Sequence, residues 1–377
     1  MAHAPDNSRN DFLIEVADTL AGAPAWAELE TSGVCTAFQT QAWLRPWFDV
    51  IAPAFGASPL FVTVRDRASG RPLMVLPLSL RRAAGARRIE FPDLGVSDYN
   101  APLMAKGFVL ADEAWALLWK QIVRALPPAD LIVFEKLPET VEGQPNPLFH
   151  LKGAEVMRVR CWDLELPASR EIYDKGLKAE VRKELRRKRK NLEMEGPVRL
   201  VTAAAASEGR EIFDVHQRQR RIRGTPIGQD PSTAETFIAF YDAAFVGNVE
   251  AGFCIMQKLM VGDEIGATMI GLHHHDVRLL LMHCFETGRW GKKSPGIVAI
   301  DAALTDQMEA GTRLYDFTIG NEPYKLQFGV QEHILLGYQE PLSPLGMALI
   351  GFRRVRRFFG DQIRKVPRKY LPRRFRE

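Results

Sequence analysis

The chain lacks any apolar run near the ~18 residues that a membrane-spanning helix needs. Its first residues, "MAHAPDNSRNDFLIEV", have neither the basic start nor the apolar stretch of a secretory signal. Cysteine is scarce: Cys35, Cys161, Cys254 and Cys284 show no CxxC spacing, which argues against a disulfide framework or a thiol metal knuckle and for reduced, buried thiols. No GxGxxG and no GxxxxGK[ST] is present, so neither a dinucleotide fold nor a P-loop NTPase is visible. These absences predict a cytoplasmic location.

At 377 residues, 46% apolar and 25% charged, the chain can fill more than one core. Its net charge of +4 hides a strong segregation. Lys175 to Lys190 carries +7 and Leu349 to Glu377 carries +9, leaving −12 on the rest. A DNA-binding domain spreads positive charge over a whole face, so no DNA partner is expected.

A pattern of three strands, a helix and a further strand occurs twice. It runs through "LFVTVRD", "PLMVLPLSL", "RRIEF", the Trp115–Leu126 helix and "LIVFEKL", and again through residues 252–261, 264–274, 277–285, 294–311 and 313–320. We read two copies of one mixed α/β module. The boundaries expected are 1–168 for the first module, 169–345 for the second with a basic helix over 171–195, and 346–377 for a basic amphipathic tail.

In the basic helix Leu177, Val181, Leu185 and Leu192 make a narrow apolar seam, and i,i+4 Glu–cation pairs support it. A solvated helix face is the bland explanation. Nine cations in sixteen residues repel one another unless an anion is near. In "KKSPGIV", Pro295 suits a first helical turn, Gly296 permits close backbone approach, and free N–H groups at the helix start can hold a phosphate. An ordinary serine cap followed by proline would have the same sequence. Histidines 273–275 lie at a hairpin end, where alternation on a strand should keep them from sharing one ion. No catalytic metal is expected.

The end of the basic helix, "KRKNLEMEG", then "SPG" and "YDFTIGNEPYKLQFG" (315–329), occur in an order that resembles the bacterial acetyltransferase family typified by the CelD-like proteins of cellulose and exopolysaccharide biosynthesis. "GVSDYNAPLM" (95–104) is similar to that family's first module. The resemblance implies two tandem GNAT-like modules and a kinship with the Fem peptidoglycan aminoacyl ligases. The first module, without an SPG-like junction, is expected to be degenerate for acyl-CoA.

Acetyl-CoA or another acyl-CoA is then the expected co-substrate, held by Lys293, Ser294, Gly296 and the strand carrying Cys284. Tyr324 is the candidate acid for the leaving thiolate, and Asp316 or Glu322 the candidate base; each has a structural alternative as a packing, acceptor or helix-start residue. His283 is a further candidate base. Lys325, Arg186 and Lys190 are candidate ligands for an anionic acceptor, a phosphate-bearing sugar precursor. The implied activity is N-acyl transfer to an amino sugar or cell-surface precursor. The alternatives are a Fem-like aminoacyl-tRNA-dependent ligase and a cyclic-dinucleotide-responsive effector. In the tail, Arg353, Arg356 and Arg357 flank Phe352, Phe358 and Phe359, which suits peripheral binding to the inner face of the cytoplasmic membrane or a clamp for a cyclic dinucleotide.

Overall fold

The computed structural model describes residues 11–223 and 235–352. In the first half the strands are β1 (Phe12–Ala17), β2 (Ala57–Asp66), β3 (Pro72–Ala83), β4 (Ala86–Glu90), the short β5 (Leu103–Met104) and β6 (Leu131–Leu137). A small hairpin of β7 (Thr140–Val141) and β8 (Gln144–Pro145) precedes β9 (Glu155–Glu165). The second half contains β10 (Val198–Thr202), β11 (Cys254–Val261), β12 (Glu264–His274), β13 (Val277–Phe285), β14 (Leu314–Ile319) and β15 (Gln331–Pro341). Helices are α1 (Pro24–Ser32), α2 (Gln41–Pro46), α3 (Ala52–Phe55), α4 (Asp112–Ala125), α5 (Arg170–Gly176), α6 (Ala179–Glu193), α7 (Ala206–Ile222), α8 (Glu235–Phe245) and α9 (Pro295–Glu309). Among the described residues no helix is long and apolar enough to cross a membrane.

The repeated unit is present twice, as the sequence pattern implies. β2, β3 and β4 pair antiparallel, α4 crosses over, and β6 returns parallel to β4. Likewise β11, β12 and β13 pair antiparallel, and α9 crosses to β14, parallel to β13. A parallel neighbour needs such a crossover, whereas Gly262-Asp263 suffices to turn β11 into β12. Gly262 stands at φ 60 there, a conformation that favours glycine.

The halves are joined by an exchange of their last strands. β9 follows the first unit but pairs antiparallel with β14. β15 follows the second unit but pairs with β6. The two exchanged strands also pair with each other, giving one mixed 13-stranded sheet. The 168/169 position lies between β9 and α5.

Two cores lie within the halves and one between them. α4 seals the first with Trp115, Leu118 and Trp119; α6 and α9 seal the second with Leu185, Leu192, Val298 and Leu304. The shared core sets Trp43 of α2 edge-on against Phe240 of α8, ring centroids 5.0 Å apart, while the Trp43 indole N–H donates to Ser97 at 2.9 Å.

The basic segment differs from the single helix expected over 171–195. It breaks at Leu177, whose backbone is extended, so α5 and α6 are separate. The Arg182 guanidinium donates to the carbonyls of Asp174 and Leu177 at 2.7 and 2.6 Å, satisfying groups that the end of α5 leaves bare. At Pro46 the chain stays helical, passing into a wider π turn over Trp47–Ile51.

The β12–β13 ladder skips a residue: Gly271 faces Leu280, and Ile270 faces Met282. A Cβ on Gly271 would lie 1.9 Å from the Leu279 carbonyl oxygen. Gly271→Ala should therefore cost about 2 kcal/mol or more, measured by denaturant unfolding. Gly176→Ala, where a Cβ meets nothing within 4 Å, should be near neutral. Equal stability of the two variants would refute this account of the bulge.

Candidate active site at the parted strands

Parallel pairing of β13 with β14 covers only Val277–Leu279 against Leu314–Asp316. Beyond it the strands part, and two irregularities accompany the parting. Leu281 has no partner in the β12 register. On β14, Thr318 sits at φ 57, within the gap in the β9 register between Asp316 and Ile319. The Thr318 hydroxyl donates to the Leu280 carbonyl at 3.1 Å, which ties the strands at the point of divergence.

A cleft of about 680 Å³ fills this opening. It brings together Cys284, Ser294, Gly296, Glu322, Tyr324 and Lys325, six of the residues singled out in the sequence. α9 starts at its edge with Pro295 in the first turn, and Ser294 at φ 56 makes no side-chain cap. Ile297 and Val298 donate their N–H groups to the Ser294 carbonyl at 3.1 and 3.3 Å, which leaves the Gly296 N–H as the first-turn donor without a partner among the described residues. Gly296 has a tighter reason than ligand approach: its Cβ would stand 3.0 Å from the Phe285 ring and 3.3 Å from His283. Glycine lets the helix start seat on β13.

α7 and the residue that caps its end, Arg223, supply polar groups that the sequence reading did not connect with the site. His216, Arg220 and Arg223 recur at intervals of four and three, so they share a helix face, and all three line the cleft. That spacing was the available signal. Arg223 lies 4.3 Å over the Phe285 ring. Arg220 approaches the Met282 sulfur at 3.7 Å.

His216 is buried, and its tautomer follows from its neighbours. Thr268 donates its hydroxyl proton to Gln219 at 2.8 Å, so its oxygen receives the N–H of His216 Nδ1 at 3.0 Å. Nε2 is then a bare acceptor, buried and without a partner among the described residues. Burial, helped by Arg220, pushes the His216 pKa down to about 3. His283 is likewise pushed down to about 4 by burial and then by Arg223, so both rings are neutral at neutral pH. The Tyr324 hydroxyl lies 3.4 Å from His283 Nδ1; burial first and Glu322 second raise its pKa. The thiol of Cys284 is raised by burial against the opposing pull of Arg223.

Lys325 is buried and its ammonium is fully engaged. It donates to the carbonyls of Ile319 at 2.8 Å and Thr318 at 3.3 Å and pairs with Glu322 at 3.2 Å. With three donors and three partners, it fixes the exit of β14. Lys293 is ion-paired with Glu195, which also holds Arg289 at 3.3 Å.

Arg186 and Lys190 are exposed on α6, away from the cleft lining. Arg186 faces Asp174 at 3.6 Å, and α6 packs on α9 and β10. The helix does reach the site's loop elsewhere: Lys188 lies 3.5 Å from Gln327, whose amide donates to the Tyr324 carbonyl at 2.8 Å. Arg353, Arg356 and Arg357 lie outside the described residues.

Asp316 lines a neighbouring cavity of about 310 Å³ that includes Cys35, Tyr99 and Glu142 from the first half. The Tyr99 hydroxyl at 2.8 Å and the Thr318 N–H at 2.6 Å both donate to Oδ1 of Asp316. Burial outweighs these bonds and pushes its pKa up to about 7. Asp98, close to Lys136 and Thr318, is pushed up to about 6, again chiefly by burial. "GVSDYN" thus brings Asp98 and Tyr99 of one half to the exit strand of the other.

Residues 179–326 match the model of the acetyltransferase (GNAT) domain. The chain is similar in structure to FemX, with 12% identity and a TM-score of 0.55 over 86% of this chain and 97% of that one. It is also similar to a conserved protein of unknown function from Bacteroides thetaiotaomicron, with 14% identity and a TM-score of 0.54 over 88% of this chain and all of the other. At these identities the likeness is one of fold. No curated protein matches the chain. The architecture is therefore mixed α/β with GNAT-like modules in tandem, and the parted strands fall inside the matched segment.

The raised pKa of Asp316 gives a testable pH dependence. Between about pH 4 and about pH 7 the unfolded carboxyl is ionised while the folded one keeps its proton. Stability must fall as pH rises through that window, by an amount of the order of a few kcal/mol. Asp316→Asn should remove this component and leave a flatter profile, read by urea unfolding at a series of pH values. A profile unchanged by the substitution would place the ionisation elsewhere.

Proposed function

We propose that the protein is an N-acyltransferase of the CelD-like kind, moving an acyl group from acyl-CoA to an amine on an amino sugar or another cell-envelope precursor. The observation that carries the reading is the opening between β13 and β14, with the start of α9 and Arg220 and Arg223 at its rim. Parted strands offer unpaired backbone groups to an amide-bearing pantetheine arm. A helix start with two guanidiniums suits a pyrophosphate.

The chemistry assigned to the residues is direct attack. The amine nitrogen adds to the thioester carbonyl, the C–S bond breaks, and the thiolate takes the Tyr324 hydroxyl proton. His283 Nδ1 orients that hydroxyl. Asp316, with a pKa near the working pH and Oδ2 unused by Tyr99 or Thr318, takes the proton that the amine loses. The bare Nε2 of His216 accepts an N–H from whichever substrate lies beside it. Glu322 and Lys325 order the loop that carries Tyr324. A phosphate-bearing acceptor would enter by the cavity next to Asp316. Peripheral attachment at the inner membrane face, or binding of a cyclic dinucleotide, is assigned to the basic tail on its composition alone. A second reading, aminoacyl-tRNA-dependent transfer as in Fem-type ligases, draws support from the structural similarity to FemX.

Acetyl-CoA should raise the melting temperature in a saturable way and release free thiol when an amino-sugar acceptor is added. Arg223→Ala should weaken donor binding about tenfold, equivalent to about 1.4 kcal/mol. Tyr324→Phe should leave donor binding intact and lower kcat by about tenfold or more. Absence of stabilisation by any acyl-CoA at saturation would overturn the reading in favour of an aminoacyl-tRNA donor.

A further inference from the structure

Away from the cleft, three potential metal ligands converge where the two halves meet. Glu142 is the first residue of the two-residue turn between β7 and β8, which belong to the first half. His274 and His275 lie at the β12–β13 turn of the second. His275 Nδ1 is 3.0 Å from both Glu142 carboxylate oxygens, and His274 Nε2 is 3.8 Å from Oε1. All three ligand atoms lie within 4.8 Å of one another. The Cys35 sulfur stands 3.3 Å from His274 Nε2, and the Cys35 N–H donates to Glu142 Oε1 at 3.2 Å.

Alternation along a strand would separate adjacent histidines, and it fails here for a local reason. His275 is the first residue past the end of β12 and sits at φ 52, which swings its ring onto that of His274, with centroids 4.0 Å apart. Glu142 sits at φ 49. Two ligands therefore occupy a left-handed conformation that residues other than glycine seldom adopt, and such positions concentrate at ligand clamps and functional sites. The three side chains come from both halves and are 12%, 19% and 38% exposed for His274, Glu142 and His275.

We propose that Glu142, His274 and His275 bind a divalent ion of the zinc class, which fastens the β7–β8 hairpin of the first half to the β12–β13 turn of the second. Two imidazoles and a carboxylate suit zinc, and the separations of 3.0 and 3.8 Å between the histidine nitrogens and the carboxylate are close to the edges of a tetrahedron with bonds of about 2.0–2.2 Å. Glu142 and His274 also line the cavity that Cys35 borders. The ion would rigidify the rim of that cavity, independently of the acyl-transfer assignment.

The test uses the full-length protein after dialysis against a chelator. Added Zn2+ should bind with one-to-one stoichiometry by calorimetry and raise the melting temperature by several degrees, and Co2+ should give the visible absorption of a tetrahedral site. His275→Ala and Glu142→Gln alter partly exposed side chains and should fold. Each should lose the zinc-induced shift and the cobalt spectrum while melting like the metal-free parent. His273→Ala, which removes the third histidine of the same run but none of the ligands, should keep both. Loss of binding in His273→Ala equal to that in His275→Ala would mean adventitious capture by a histidine run and overturn the proposal. So would a melting temperature unmoved by zinc, or an undiminished shift in Glu142→Gln.

Discussion

The site depends on the exchange of β9 and β15. β14 is a six-residue strand with three parallel pairs to β13 on one side, and its other edge is closed by a strand from the first half. Without β9, β14 would present an open edge next to a deliberately interrupted ladder. With β9 in place, β14 can part from β13 while Leu314–Asp316 and Ile319 keep their pairing on the other edge. The exchange also brings Tyr99 onto Asp316. The first module thus contributes walls and a hydrogen bond to the site, whether or not it holds a ligand of its own.

The second constraint is electrostatic. The chain carries many cations in runs, yet most of those in the described basic helix are held by local partners. Arg187 and Lys188 share Glu184, Arg189 pairs with Glu193, and Arg182 caps α5. Such exposed pairs contribute little to stability, but they lower the repulsion that nine cations in one stretch would create. The cleft is instead lined by neutral imidazoles, a protonated tyrosine and the two guanidiniums of α7. Burial first, and then the neighbouring guanidiniums, keep these rings neutral. Glu322, which also lines the cleft, is paired with Lys325.

Much of this was legible in sequence where the signal is local. The strand–strand–strand–helix–strand unit was readable twice because hairpins and amphipathic crossover helices carry their period within a few residues. β6, β12 and β13 lie where the pattern puts them. β9 and β15 were not read, since "EVMRVRCWDLE" and "QEHILLGYQEP" are strands only by virtue of partners far away in the chain. The same limit applies to the site. Tyr324, Glu322, Lys325 and Ser294 could be picked out by motif, whereas Arg220 and Arg223 required knowing which face of α7 turns inward. Lys325 shows a subtler limit: sequence located it in the right loop but could not reveal that two carbonyls and a carboxylate consume its donors. Arg186 and Lys190 were drawn in by charge density, which says nothing about direction.

The arrangement of acids across the module boundary follows from the same exchange. Asp98 and Asp316 come from opposite halves, and burial raises both toward neutrality, to about 6 and about 7. Carboxyls in a desolvated junction resist simultaneous ionisation, and the Asp98 charge adds to the burial that raises Asp316. The junction is thus able to hold or release a proton near neutral pH at the foot of the parted strands. That property belongs to neither module separately. It arises because "GVSDYN" from one half is docked against "YDFT" of the other, and the docking is fixed by the two strands that the halves exchange.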